Sequence, residues 1–440
     1  MSAVPASAEK ITHGRVLRIA WPIVLSNATI PLLGAVDTGV VGQLGQAAPI
    51  GAVGLGAVIL ASFYWIFGFL RMGTTGLAAQ AEGAGDRAEV SAILIRALAI
   101  GLGAGALMIV GQLLLFPLAF WLSPGSDAVE GLAHGYLSIR VWGAPATISG
   151  YAITGWLIAR ERTRAILVQQ VFINGLNVGL DLLFVLKFGW GVEGVAAATL
   201  IAEWSGFALG LWLCRDALGP GLSGAGLWDR ARLWRMARVN GDIAVRSILL
   251  QGAFTSFVFL GARMGDVTLA ANQVLLQFLE ITAYALDGFA FAAETLVGQA
   301  VGAQSRPLVR RAAVVSSQWG AAGAVLLGLV FLIAGPWLID LLTTEPQVRE
   351  TARIYLPWVA SMPILGITCW MLDGIFIGAT RTRDMRNAML VTMIAYVPLL
   401  FGLPLVMGNH GLWAALGALM VLRAVTLGRL YPRIEAGLAA

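Results

Sequence analysis

The stretch GWLIARERTR at residues 155–164 decides the fold, because it recurs in altered form as GIFIGATRTR at 374–383. Gly155 pairs with Gly374, and Arg162-Thr163-Arg164 pairs with Arg381-Thr382-Arg383, each 219 positions on. Working outward, Gln80, Gly83 and Arg87 match Gln299, Gly302 and Arg306, and Gly42 matches Gly261, all at the same offset of 219. One shared spacing could be chance. The same spacing at separated places marks an internal duplication.

Each copy is mostly apolar. Of 440 residues, 58% are hydrophobic and 12% charged, against about 45–50% and about 25% in soluble domains. A water-soluble chain of this size cannot hide that excess, and a bilayer can. A membrane helix needs roughly 20 apolar residues. Apolar segments at 17–42, 52–79, 91–119, 133–158, 165–187, 192–214, 240–262, 269–298, 312–338, 352–378, 388–407 and 411–431 predict twelve of them. The expected fold is an all-α membrane protein of two six-helix bundles. Each half has an even number of spans, so both insert in the same direction, as a parallel repeat about the membrane normal.

With the N-terminus inside, 23 of the 29 lysines and arginines fall on the cytoplasmic side and 5 outside; Arg71 lies within span 2. That bias predicts both termini in the cytoplasm and a multi-pass protein of the inner (plasma) membrane. The first span carries Trp21, Pro22, Asn27, Pro31 and Asp37 and reads as an uncleaved helix, not a signal peptide. The expected organisation is an N-lobe at 1–214, a cytoplasmic linker at 215–239 and a C-lobe at 240–440. Within the linker, GPGLSGAG is flexible, and LWDRARLWRMARV reads as a short interfacial helix.

The net charge of +5 does not point to nucleic acid, because the basic residues sit between apolar segments. Cys214 and Cys369 show no metal-ligand spacing, and His13, His134 and His410 are scattered. Neither a metal site nor a nucleophilic triad is expected, nor a cofactor. Two joined, similar bundles suit alternating access about a central cleft; a membrane-embedded enzyme has no special need of them.

Ionisable groups at bilayer depth cost about 2.5–3.5 kcal/mol each. Span 1 has Asp37, span 5 has Asn177 and Asp181 one helical turn apart, and span 6 has Thr199 and Glu203 at the same spacing. Packed together, Asp37, Asn177, Asp181 and Thr199 would form one polar site. Two close carboxylates require a proton or a cation between them, so this is a candidate proton- or sodium-coupling site. Asp181 could instead cap span 5 near Lys187. Span 8 carries Glu280, Asp287 and Glu294 at steps of seven residues, one acidic stripe that must face a cleft or protein partners. Arg71 has its repeat counterpart at Ala290, between Asp287 and Glu294. It is therefore expected at their depth, pairing with them across the cleft or reaching to the interface. Asp373 on span 10 is a candidate second protonation site or a helix-end packing residue. Tyr64, Trp65, Phe289 and Phe291 could stack on a substrate or face lipid.

The segments VDTGVVGQLG, FLRMGTTGLAAQAEGAGD and NVGLDLLFVLKFGWGVEGVAAAT resemble multidrug and toxic compound extrusion (MATE) transporters. ALDGFAFAAETLVGQAVGA and LDGIFIGATRTRD resemble their DNA-damage-inducible (DinF) branch. The resemblance covers essentially the whole chain. It implies a two-lobed, twelve-helix antiporter, a monomer, exporting small organic substrates against inflow of H+ or Na+. It also implies coupling at the positions of Asp37, Asn177, Asp181 and Thr199, with Tyr136 nearby, and a first helix that bends at Pro22. Pro31, nearer Asp37, could also kink it. Another branch carries an acid on span 7, where this chain reads RSILLQGAFTSFVFLG with Gln251. Coupling is therefore expected mainly in the N-terminal half, with protons favoured. An acidic cleft favours organic cations. A lipid-linked oligosaccharide flippase of the same superfamily is the alternative; flippases usually carry more arginines in the cavity, and only Arg71 reads as clearly intramembrane.

Overall fold

The computed structural model describes residues 10–43, 47–122, 126–222 and 226–438. Among them there is no strand. Helix is the expected answer in lipid, where each backbone N–H and C=O must find its partner inside its own segment. Ten helical spans are long and apolar enough to cross a membrane. They include α3 (Ala47–Ile66) with α4 (Phe69–Gly83), α5 (Arg87–Leu122), α8 (Thr163–Asp181) and α9 (Gly191–Leu213). In the second half they are α11 (Arg230–Ala262), α12 (Asp266–Gly302), α13 (Arg306–Leu342), α14 (Pro346–Gly378), α15 (Thr382–Met407) and α16 (Asn409–Gly428).

The other two of the twelve spans are broken into short pieces. Span 1 is α1 (His13–Ala28) and α2 (Ile30–Gly42), parted at Thr29. Pro31 lacks an N–H and crowds the carbonyl four residues back, which accounts for the break. The Thr29 carbonyl is caught by the side-chain amide of Asn174 at 3.3 Å. Helix α1 continues through Pro22. Span 4 is α6 (Asp127–Arg140) and α7 (Ala144–Ala159), joined by a 3-10 turn at Val141–Gly143. Helix α8 passes into a π-helical stretch, Leu182–Lys187, directly after Asp181.

The duplication is written in the backbone. Glu161 and its counterpart Thr380 both adopt left-handed conformations (φ 57° and 50°), as do Gly85 and Gln304 (73° and 54°). The next amides, Arg162 and Arg381, close onto the carbonyls of Leu157 (2.8 Å) and Phe376 (3.0 Å), the same helix-ending motif twice. Thr380 is β-branched and strained there; its hydroxyl accepts a hydrogen bond from Gln80 (3.0 Å). A Cβ on Gly155 would strike the carbonyl of Arg71, and one on Gly374 the carbonyl of Ala290. Arg71 and Ala290 are themselves 219 positions apart.

Two compact units emerge, one of 25–78 and 86–235, the other of 1–24, 79–85 and 236–440. In the second, the chain ends of α4 and α12 pack backbone to backbone. A Cβ on Gly83 would fall on the Gln299 carbonyl and one on Gly302 on the Gln80 carbonyl. Arg15 donates to Gln299 (2.8 Å) and Gln80 to the Gly378 carbonyl (3.0 Å). The core of this unit gathers Phe257, Phe278, Phe331, Tyr396 and Trp413.

Residues 230–239, expected as a separate interfacial helix, are instead the first turns of α11. A short helix, α10 (Arg215–Leu222), precedes them; Ser223 to Ala225, inside the expected flexible run, lie outside the described residues. Buried Arg96 on α5 holds the carbonyls of Leu227 (2.6 Å) and Gly226 (3.0 Å). Glu89 binds Arg96 at 2.8 Å and also Arg232. The approach to α11 is thus tied to the N-terminal unit's own helix. The chain closes with α17 (Pro432–Ala436).

Candidate ion-coupling site

Helices α2, α8 and α9 bring Asp37, Asn177, Asp181 and Thr199 together inside the N-terminal unit. All four are buried, Asn177 and Asp181 completely. With its amide nitrogen facing the acids, Asn177 donates to Asp37 Oδ1 and Asp181 Oδ2, both at 3.1 Å, while its oxygen lies 3.0 Å from Thr199 Oγ1. The two carboxyl groups also come within hydrogen-bonding reach of each other. Asp181 Oδ1 is buried with no hydrogen-bond partner among the described residues. Asp181 is the last α-helical residue before the π-helical stretch, a backbone irregularity tolerated in membranes where protein surrounds it.

Beside this site lies an ion pair that sequence reasoning missed. Arg140, at the end of α6, binds both oxygens of Glu203 on α9 at 2.6 and 2.8 Å. The two side chains are 8% and 16% exposed. Gly143 makes the approach possible, since a Cβ there would collide with the Glu203 carboxylate. Tyr136, 2% exposed, lies near Arg140 and is seated on Gly56, where a Cβ would meet its ring. A signal was present: Arg140 follows Tyr136 by one helical turn, as Glu203 follows Thr199. The lysine and arginine bias counts Arg140 on the outer side, although it falls inside the apolar segment 133–158.

The expectation that only Arg71 stands clearly within the spans is corrected here. Arg140, Arg246 and Arg423 are also buried at the level of the helices. Each binds an acid, Glu203 or Asp373, which lowers the cost of a charge in low dielectric. Arg71 itself is half-buried on α4 in the N-terminal unit. Glu280, Asp287 and Glu294 lie along the single helix α12 in the other unit, grading from exposed through half-buried to 1% exposed. Asp373 lies on α14 between Arg246 and Arg423, within the span and not at a helix end. Tyr64 is buried, Trp65 exposed, and Phe289 and Phe291 half-buried. Among the described residues, no three His, Cys, Asp or Glu side chains are placed to hold a metal ion.

Known proteins resemble this chain in sequence and fold. The family model described as MatE matches twice, at residues 22–183 and 243–401, one match per repeat. DNA damage-inducible protein F of Escherichia coli K12 is 39% identical over 419 residues, 94% of this chain and 91% of that one. The probable multidrug resistance protein NorM of Deinococcus radiodurans is 30% identical, with 96% of each chain covered. Among solved structures, an outward-facing multidrug resistance MATE family transporter of the MOP superfamily superposes with a TM-score of 0.87 at 18% identity, over 96% of each chain. The bent form of the Vibrio cholerae MATE transporter VcmN gives 0.85 at 19% identity over 97% of each; these two likenesses concern the fold alone. Since one family model fits both halves and a relative matches at 39% along nearly the whole of both chains, the protein belongs to the MATE family of membrane transporters, in its DinF branch.

Proposed function

We propose that the protein is a secondary antiporter of the inner (plasma) membrane that exports small organic compounds by alternating access, driven by inward flow of protons. The observation that carries this reading is the buried pair Asp37 and Asp181, within reach of each other and bridged by Asn177. Two carboxyl groups so placed repel unless a proton or a cation lies between them. The Asn177 amide supports the proton reading. Its nitrogen points at both acids, and a sodium ion in that space would need oxygen ligands where the protein offers a donor. The unpartnered Asp181 Oδ1 supplies a lone pair on which a proton can sit. Substrates are organic cations, in keeping with the acids Glu280, Asp287 and Glu294 along α12. Alternating access rests on the parallel repeat, an architecture that lets related bundles exchange arrangements. The protein works as a monomer with both termini in the cytoplasm, and the N-lobe (1–214), linker (215–239) and C-lobe (240–440) are its functional parts.

The test is transport in proteoliposomes under an imposed proton or sodium gradient, with a fluorescent organic cation as substrate. A proton gradient drives uptake or efflux in the wild type, a sodium gradient at constant pH does not, and Asp37→Asn loses the proton-driven component. Equal gradient-driven transport in Asp37→Asn would remove this site from the mechanism. Drive by sodium alone would replace the proton.

A further inference from the structure

The C-terminal unit contains a second buried charge cluster, separate from the carboxyl pair. Asp373 Oδ2 accepts hydrogen bonds from Arg246 on α11 and, at 2.5 Å, from Arg423 on α16. The side chains of Arg246, Asp373 and Arg423 are 8%, 12% and 3% exposed. The neighbouring charges form a closed pair of their own: Arg386 binds Asp242 at 2.6 Å, and Thr382 donates to the other Asp242 oxygen at 3.2 Å. The cluster therefore encloses two guanidinium cations against one carboxylate. A guanidinium does not give up its proton in a protein. One positive charge stands in excess, buried where an uncompensated charge is costly.

The donors are also underused. Each guanidinium carries five N–H groups. Arg246 spends one on Asp373. Arg423 spends one on Asp373 and another on the thioether of Met420 at 3.7 Å, a weak acceptor. Both arginines open onto a small cavity of ≈ 10 Å³, whose wall also includes Asp373, Met389, Thr392 and Thr426. That is smaller than the roughly 300–1,000 Å³ of pockets for organic ligands. Water could fill it but could not neutralise it, and a dianion would reverse the excess.

We propose that this cavity is a binding site for a small inorganic monoanion of the size of chloride, held between Arg246 and Arg423. The anion completes the neutralisation that Asp373 begins and locks α11, α14 and α16 to one another.

The test uses full-length protein in detergent, moved into sodium gluconate and titrated with sodium chloride or bromide at fixed ionic strength. The expected result is a saturable rise in the thermal midpoint with chloride and bromide and none with gluconate. Asp373→Asn removes the competing carboxylate and leaves two unbalanced cations, so its half-saturating concentration should fall at least tenfold. Arg423→Met should lose the response. Crystals soaked in bromide should show an anomalous peak between the two guanidinium groups. A wild-type midpoint indifferent to the anion, weaker binding in Asp373→Asn, or an undiminished response in Arg423→Met would each overturn the proposal. If Arg423→Met does not fold, the Asp373→Asn titration and the bromide map decide the matter on folded protein.

Discussion

Arg140 and Glu203 show what a single residue does in this membrane setting. Each is nearly enclosed and each is the other's charge partner. Removing one leaves the other buried and unpaired, which costs ~3–5 kcal/mol, whereas replacing both by apolar groups is often near neutral. Arg140→Gln and Glu203→Gln should each lower the thermal midpoint strongly in detergent, and Arg140→Met with Glu203→Leu should regain most of the loss. Strictly additive losses across the cycle would mean that the pair does not act as a unit. Cys214, just beyond α9, behaves oppositely. It is buried, and burial pushes its thiol up to about 12 against the pull of the Arg162 charge. Only the thiolate alkylates, and its fraction grows about tenfold per pH unit below the pKa. Maleimide should therefore leave Cys214 of the native protein unlabelled at pH 7.5 and react with it once the chain is unfolded in detergent; stoichiometric labelling of the native protein would contradict this. At this scale the sequence was legible where charge should not be: Asp37, Asn177, Asp181 and Thr199 stood out because each sits in an apolar run. Arg140, Arg246 and Arg423 were hidden because they lie near predicted span ends, where arginine is ordinary. Only packing reveals that their side chains turn inward to acids.

Elements meet closely here because small residues let backbones approach. A Cβ at Gly155 would press on the Arg71 carbonyl and one at Gly374 on the Ala290 carbonyl. A backbone carbonyl cannot rotate away as a side chain can. Overpacking of this kind costs about 1–3 kcal/mol, so Gly155→Ala and Gly374→Ala should destabilise by similar amounts, each read as a lowered midpoint in its own single variant. A neutral result at both positions would show that the helices slide freely. The repeat made this pairing legible from sequence, since a fixed offset carries one helix contact onto another. Helix interruptions were less legible. Pro31 announced a break, yet the break falls at Thr29 and depends on Asn174 reaching its carbonyl, a tertiary contact. The π-helical stretch after Asp181 has no sequence signal at all. The amphipathic-looking run LWDRARLWRMARV continues into α11 although Asn240-Gly241-Asp242, a local stop signal, follows it. Tertiary burial overrides that signal: Met236, Val239, Asn240 and Asp242 are buried, and Arg386 and Thr382 bind Asp242.

For the whole molecule, the duplication and the charge bias make one joint prediction about orientation. Six spans per half return the chain to its starting side, so corresponding loops of the two halves face the same compartment. Arginines crowd the ends at 160–164 and 381–386 and are sparse at the opposite ends, which predicts a cytoplasmic position for the former. Cysteine at an exposed loop position can report this, in a background with Cys214 and Cys369 replaced by serine. Ser126, the N-cap of α6, and Glu345, the N-cap of α14, are repeat counterparts; Asp127, next to Ser126, and Glu345 are both exposed. Asp86, between α4 and α5, is exposed at the other face. In intact cells, a membrane-impermeant maleimide should label Asp127→Cys and Glu345→Cys and should reach Asp86→Cys only after permeabilisation. The reverse pattern would invert the topology. Labelling of Asp127→Cys but not Glu345→Cys would mean that the halves insert in opposite directions.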